Sequence, residues 1–549
     1  MSTPFDRLRE LPNIDHLRKQ AKDLLRSYRR AETPAFERLR AALPAARGRS
    51  NAELAGLKLR LHDMQSCMAR EHGFASWNEL KDDVELRRAS VQDLRSRQLH
   101  WLRLVYGGDL AGGPSGPRPA LAAQMLREQP QLVDDALLAC AVGDEAVVRA
   151  AADADPAWVN RAGGLLDIPP LIAVTHSTLV ALGPFREKLR RCLQLLLDRG
   201  ADPDAFYLDR RSPNSLEKPG DSKLTAIYGA AGKLHDAPMT AALLAAGANP
   251  NDNESLYHSI EDPDPALPCT RLLLEGGARV AGSNALAKVL DIDNLRGLAM
   301  LLARTEHGDP DLGRILHWAI YRGRSAAHVR ALLAAGADPK ALNSARQDAY
   351  HHAASYALPE IMRLLQDGGS GEPLTDEEKF VHACVSMDEA EARRLLAARP
   401  GLFASMTTAQ LKQLPNMAMS GRDGVVRLMV ELGWPIATRG GDIDGSALNW
   451  AVFRGRPALA EFLLEHGASY REAHGYNSDV LGTLSWASLN VPRRDGDWPA
   501  CAAALLAHGL PQATLLPDSD AAKPARKVLI DGRAMTFAED VAEVLLGET

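Results

Sequence analysis

The sequence predicts an all-α chain built from repeated helix pairs. Its 549 residues are too many for one compact core, so several domains or an elongated repeat array are expected. Aromatic residues make up only 5% of the chain, while Ala and Leu are abundant, and this composition favours helices. The strongest observation is a short segment that recurs along most of the chain.

The recurring segment is a Leu pair followed by Gly, as in LLAAGADP (332–339) and LLEHGASY (463–470). The Leu pair closes the apolar face of a helix, and the Gly permits the left-handed conformation that ends it. Copies follow one another after 32, 31, 34 and 34 residues, marked by Gly336, Gly368, Arg399, Gly433 and Gly467.

A second segment precedes the first in phase with it, as ILHWAIYRG (315–323) and ALNWAVFRG (447–455). Two segments repeating together at a period near 33 resemble the ankyrin repeat. The resemblance covers about residues 120–549, with degenerate copies at 284–305 and 410–436. It implies two helices per copy, turns that project between copies, and a structural role for His317 in bonding neighbouring repeats.

A longer duplication suggests how the repeats are grouped. Segment 139–159 matches segment 383–403, and a Gly-rich stretch lies just before the second member. We therefore predict four parts: a helical module at 1–105, a flexible Gly/Pro-rich linker at 106–119, and ankyrin blocks at 120–370 and 374–549. Within the first part, HLRKQAKDLL and REHGFASWNELK are similar to an N-terminal module of bacterial ankyrin-repeat proteins, a resemblance that implies no activity.

The charge distribution disfavours a nucleic-acid binder. The first 100 residues carry 20 Lys and Arg against 14 Asp and Glu, whereas the remaining 449 carry 44 against 56. Nucleic-acid or ribonucleoprotein association through a basic N-terminal helix stays an alternative. The residues concerned also fit a solvated face, and they are Arg18, Lys19, Lys22, Arg26, Arg29 and Arg30.

The sequence contains no recognisable catalytic or metal-binding motif. HExxH, GxSxG and GxxxxGK[ST] do not occur, so we predict no catalytic, cofactor-binding or metal-binding residues, and no enzyme. An enzyme without a known motif is the third interpretation. Six dispersed cysteines, no membrane-length apolar run and no signal-peptide core predict a cytoplasmic protein that does not use a membrane.

The resemblance also indicates candidate binding residues. The two residues before the Gly of the first helix face outward in ankyrin repeats, and aromatic and Arg side chains dominate binding hot spots. The predicted residues are Tyr321, Arg322, Tyr356, Phe453 and Arg454, with Trp318 and Trp450 one turn earlier either joining them or filling gaps between repeats. Inserted loops at 204–222, with Tyr207, Arg210 and Arg211, and at 474–498 contact a partner or are tolerated surface excursions.

Together these observations predict a non-enzymatic scaffold. It would bind a protein partner on the face lined by the first helices and on the inserted loops.

Overall fold

The computed structural model describes residues 14–57, 59, 61–90, 92–112, 116–209, 223–491, 496–517 and 525–547. Contacts between residues divide the chain into two compact units, Met1–Lys288 and Val289–Thr549. Both units consist mainly of short helices joined by turns. The prediction of an all-α helical repeat is confirmed.

The first helices of unit 1 have a core of their own. Leu39, Leu54 and Met64 are fully buried in it. Tyr28 closes this core: its ring meets Phe36 edge-on, with centroids 5.9 Å apart, and its hydroxyl donates to the Leu54 carbonyl oxygen at 2.8 Å. These helices are α1 Ile14–Arg29, α2 Thr33–Ala42, α3 Asn51–Gly56, α4 Leu61–Glu71 and α5 Trp77–Ser90.

The later helices of unit 1 follow this core and include its repeats. They are α6 Leu94–Tyr106, α7 Gly108–Ala111, α8 Pro119–Glu128, α9 Ala136–Val142, α10 Glu145–Ala154, α11 Pro170–Thr175, α12 Gly183–Asp198, α13 Ala237–Ala245, α14 Ser255–Ser259, α15 Pro268–Glu275 and α16 Ala285–Asp291, in which the division falls. A π-helical segment, Tyr228–Lys233, precedes α13, and the antiparallel strands β1 Phe206–Leu208 and β2 Lys223–Thr225 form a hairpin.

The predicted linker at 106–119 differs from the structure. Residues 108–111 form α7, and Leu110 within it is fully buried. The preceding α6 packs on the repeats, because the Trp101 indole nitrogen donates to the carbonyl oxygen of Ala122 at 3.0 Å. Much of the segment expected to be flexible is therefore ordered, since apolar side chains anchor it.

Unit 2 continues the helix pairs. Its helices are α17 Leu295–Leu302, α18 Asp311–Tyr321, α19 Ala326–Ala334, α20 Ala349–Ser355, α21 Pro359–Asp367, α22 Asp376–Val385, α23 Glu389–Ala398, α24 Leu402–Ser405, α25 Thr408–Leu411, α26 Gln413–Met419, α27 Asp423–Glu431, α28 Ala447–Phe453, α29 Pro457–Glu465, α30 Val480–Asn490, α31 Trp498–Ala507 and α32 Glu539–Leu546. Its strands are β3 Ala473–His474, β4 Ser478–Asp479, β5 Thr514–Leu515, β6 Ala525–Ile530 and β7 Arg533–Ala538.

The repeat signature forms the helix ends that it predicts. After α19, Gly336 adopts a φ of 93°, and the amide of Ala337 donates back to the carbonyl oxygen of Leu332 at 3.0 Å. This pattern satisfies carbonyls that the end of a helix would otherwise leave unpaired. Gly433 and Gly467 have the same left-handed φ after α27 and α29, whereas α23 ends at Arg399 without it.

The predicted boundary at 371–373 lies inside unit 2. Helices α20 and α22, on either side of it, pack on each other, and His382 Nδ1 lies 2.8 Å from the carbonyl oxygen of Ala354. Asn416 also donates to the Tyr356 hydroxyl at 3.0 Å across the same segment. The Gly-rich stretch thus joins helix pairs that share a core.

The end of the chain was predicted to be helical, but it contains a three-stranded antiparallel sheet in the order β5-β6-β7. Asp531 and Gly532 both have positive φ, 48° and 74°, and turn β6 into β7. Val528, Ile530 and Phe537 point inward from this sheet and are buried. The sheet packs on α30 and α32, and α32 packs on α31.

Candidate functional site

Trp318, Tyr321 and Arg322 lie together at the end of α18, as the sequence predicts. However, their polar atoms already donate hydrogen bonds to two carboxylates of the same chain. Arg322 Nε donates to Asp291 at 2.8 Å, and its Nη1 donates to Asp442 at 2.8 Å. The guanidinium carbon lies 4.5 Å from the Trp318 ring centre, and the Tyr321 hydroxyl donates to Asp442 at 3.1 Å. We call these five residues the Arg322 cluster.

The electrostatics of the Arg322 cluster show a paired, partly buried cation. Burial alone would lower the pKa of Arg322, but the hydrogen bond and charge of Asp442 and the charge of Asp291 raise it. Burial, together with the charge of Asp442, raises the pKa of Tyr321. Asp442 lies in the turn between Gly440 and Gly445, so the cluster ties α18 to a distant turn of the same unit. The Arg322 cluster therefore acts first to hold parts of unit 2 together.

Replacing Arg322 with Ala should destabilise unit 2. Asp291 and Asp442 would lose a charged hydrogen-bond partner, which costs about 2 kcal/mol of unfolding free energy. Arg314→Ala is the matched control, because Arg314 is on the same helix and its pair with Asp311 is exposed. Chemical denaturation should show a change within about 0.5 kcal/mol for the control. An Arg322→Ala protein as stable as the wild type would contradict the internal role.

Three other predicted residues are buried. For Tyr356 and Tyr207 the expected surface position is wrong, whereas the burial of Trp450 fits the second of its two predicted roles, filling a gap. The Tyr356 hydroxyl accepts a bond from Asn416, and the Trp450 indole donates to the carbonyl oxygen of Gly440 at 2.9 Å. Tyr207 is the inward residue of β1, with both strand neighbours exposed, and its hydroxyl donates to Asp109 at 3.1 Å. Arg210 and Arg211 lie outside the described residues.

Asp109 belongs to a buried polar group in unit 1. The amino group of Lys233 contacts both of its carboxylate oxygens. Burial, the largest single cause, favours the neutral acid, but the charge and hydrogen bond of Lys233 and the hydrogen bond of Tyr207 act together to lower the pKa of Asp109. His176 packs edge-on against Tyr207, with ring centroids 5.0 Å apart, and burial lowers its pKa to about 3. These contacts hold α7 and β1 in place.

Phe453 and Arg454 stay accessible, and the structure adds a third residue to them. The rings of Phe453 and Trp486 stack with centroids 5.5 Å apart and planes 11° from parallel. Trp486 is 53% exposed, Phe453 is half-buried, and Arg454 is exposed. We call Phe453, Arg454 and Trp486 the platform. An exposed stacked aromatic pair beside an arginine is a surface rich in hot-spot residue types.

Trp486 was missed because 474–498 was interpreted as an inserted loop. Much of that stretch forms the β3–β4 hairpin and helix α30. Asp479 caps α30 as Ser446 caps α28, and Trp486 and Phe453 each lie seven residues after the cap. Aligning the two caps would have placed Trp486 in the position of Phe453.

His317 has the structural role that the resemblance implies, so that prediction is confirmed. Its Nε2 lies 2.8 Å from the carbonyl oxygen of Ala341, which requires a hydrogen on Nε2. Its Nδ1 therefore accepts the hydrogen of His352 Nδ1, 3.0 Å away in the next repeat. Both rings are neutral in this arrangement, and burial lowers the pKa of His352 to about 3.

The cysteines are poor candidates for nucleophiles. All six are buried, and burial raises their pKa, for example to about 12 for Cys192 and Cys384. Across the described ranges no group of three or more His, Cys, Asp or Glu is arranged to hold a metal ion. No helix in the same ranges has the length and apolarity to cross a bilayer.

The basic residues of α1 are divided between surface and interior. Arg18 is buried, and Arg26 pairs with Asp23 at 2.6 Å. Lys19, Arg29 and Arg30 are exposed. The six residues of the nucleic-acid alternative therefore do not form one continuous exposed face.

Comparison with known proteins finds similarity only among solved structures. No family model and no curated protein matches the chain. The ankyrin repeat domain of Bcl-3, described as a unique member of the IkappaB protein family, is 21% identical; the match covers 36% of this chain and 92% of that one at a TM-score of 0.18. The human ASB11 ankyrin repeat domain is 18% identical, with 41% and 98% covered at a TM-score of 0.21. Both are ankyrin domains to which part of this chain is similar.

Proposed function

We propose that this chain is a non-enzymatic scaffold of the ankyrin kind that binds a protein partner through the platform in unit 2. It would act in the cytoplasm, in a bacterium if the resemblance of its N-terminal module holds. The observation that carries the proposal is the stack of Phe453 on a half-exposed Trp486. An exposed Trp stacked on a second aromatic ring presents a joined apolar surface, and contiguous exposed apolar patches mark protein–protein interaction sites.

The position of the platform supports this function. Phe453 and Trp486 lie on α28 and α30, which pack against each other in the core of unit 2. A rigid support lowers the entropic cost of binding, because the side chains are already held in place. The Arg322 cluster is largely occupied by its own carboxylates, so we place the binding surface at the platform.

Trp486→Ala should remove most of the partner that the wild-type chain captures. Full-length tagged protein would be used for affinity capture from its native cell, followed by quantitative mass spectrometry. Truncation of a binding hot spot weakens affinity about thirtyfold or more. The melting temperature should not change, because Trp486 is half exposed.

The matched control is Met387→Ala, which removes an equally exposed apolar side chain, 52% exposed in the turn between α22 and α23. This variant should capture the partner as well as the wild type does. Equal capture by Trp486→Ala would refute the platform as the binding surface. Capture that nuclease treatment abolishes, and that depends on Arg29 and Arg30, would favour the nucleic-acid alternative.

A further inference from the structure

We infer that the platform selects an acidic protein segment, in which a carboxylate binds Arg454 and a nearby aromatic or large apolar side chain packs on Phe453 and Trp486. This inference rests on the proposed function and specifies the chemistry of the partner. It follows from the surroundings of Arg454, from an equivalent arrangement elsewhere in the same unit, and from the spacing of the helices.

The Arg454 side chain is held in place, and its guanidinium retains N–H groups that can donate to a ligand. Its Nη1 donates to the carbonyl oxygen of Met419 at 2.9 Å, and its guanidinium lies over Gly421, where a Cβ would be 3.3 Å from Nη2. No ion pair joins Arg454 to a carboxylate within the part of the chain that the structure describes. The guanidinium is thus an anchored, exposed cation with N–H groups beyond the one that binds Met419, and such a group suits a carboxylate.

The Arg322 cluster shows how an arginine in this position binds a carboxylate. Arg322 and Arg454 each directly precede a glycine of positive φ, Gly323 and Gly455, at the end of a first helix. In the cluster, Arg322 lies against aromatic rings and binds Asp442, which comes from a different segment of the chain. At the platform an arginine again directly follows an aromatic residue at the end of a first helix, and the carboxylate is what a partner would supply.

The helix spacing predicts how far apart the two partner groups lie. The Arg454 guanidinium is anchored on the end of α26, whereas Trp486 is on α30, with α28 between them. Neighbouring packed helices are about 8–10 Å apart. About two such spacings separate α26 from α30, and an extended segment advances about 3.3 Å per residue, so a carboxylate about five residues from an aromatic residue would reach both sites.

The test is a selection from a phage-displayed library of random dodecapeptides against the full-length chain. Peptides that bind the wild type but not Trp486→Ala would be synthesised and titrated. We expect them to pair an Asp or Glu with an aromatic or large apolar residue about five positions away. Arg454→Gln should weaken their binding about tenfold, while Arg363→Gln, which changes an exposed arginine on a second helix, should leave it unchanged.

The salt dependence of binding and the charge of the selected peptides distinguish the outcomes. Added salt should weaken binding to the wild type more than binding to Arg454→Gln, because the lost interaction is an exposed ion pair. Peptides that need Trp486 but are indifferent to Arg454→Gln, or that are rich in Lys and Arg, would overturn the acidic preference and leave the proposed function standing. A selection that yields no Trp486-dependent peptide would count against both.

Discussion

Acidification should destabilise unit 2 through the His317–His352 pair. The pKa of His352 falls from 6.5 to about 3 on folding, because the buried ring cannot accept a second proton without charge burial. The unfolded chain therefore takes up the proton first. The contribution of His352 to the free energy of unfolding is fully present above about pH 6.5 and is lost as the pH falls toward 3. At about pH 5 the free energy of unfolding is lower by about 2 kcal/mol.

Denaturation midpoints of the wild type at about pH 7.5 and about pH 5 measure this loss. His352→Asn should be less stable at neutral pH, because His317 Nδ1 loses its donor, but it should show a smaller change between the two pH values. His307→Asn, which replaces an exposed histidine of the same unit, should keep the wild-type change. An unchanged pH dependence in His352→Asn would show that the pair does not titrate as its burial requires.

Phe380→Ala should be the most destabilising single change considered. Phe380 is fully buried, stacks on Trp434 with centroids 5.6 Å apart, and meets Phe403 edge-on at 5.5 Å. Removing its ring leaves a cavity among rigid neighbours, which costs about 3–5 kcal/mol. Thermal or chemical denaturation with Met387→Ala as the exposed control should show a change within about 0.5 kcal/mol for the control.

The same experiment tests the continuity of unit 2. Phe380 lies on α22, just after the predicted boundary at 371–373, and α22 packs on α20. If unit 2 is one cooperative stack, residues 289–370 should lose hydrogen-exchange protection together with the later helices in Phe380→Ala. Protection that survives in residues 289–370 would instead favour two blocks separated at the predicted boundary.

The repeat phase was predictable because its determinants are local. A Leu pair, a left-handed Gly and a period near 33 fix where second helices end, as at Gly336 and Gly467. The degenerate copies at 284–305 and 410–436 also contain helix pairs, α16 with α17 and α26 with α27. A helix pair therefore forms even where too little of the repeat pattern remains for the copy to be recognised in the sequence.

The binding residues were harder to predict, because their neighbours are distant in sequence. Nothing near Arg322 indicates that Asp442 will reach it, so an arginine expected to be free is paired. Trp450 is covered in the same way by the turn at Gly440. Burial on the first-helix face depends on these turns, and their positions are set by tertiary packing.

Two features that differ from the prediction, the β6–β7 hairpin and the inward side chain of Tyr207, have local signals in the sequence. Asp531-Gly532 between alternating apolar residues is a strong hairpin signal, and it marks the turn between β6 and β7. The alternation of a strand would likewise have turned Tyr207 inward once Phe206 and Leu208 were assigned outward. In both places side chains alternate between the two faces with a period of two residues, which indicates a strand rather than the expected helix.

The most direct test of the binding surface is a calorimetric titration of the purified partner into the wild-type chain and into Trp486→Ala. We expect a dissociation constant about thirtyfold higher for the variant, at an unchanged melting temperature. Equal dissociation constants for the two proteins would contradict it, and the partner would then have to bind elsewhere on the chain.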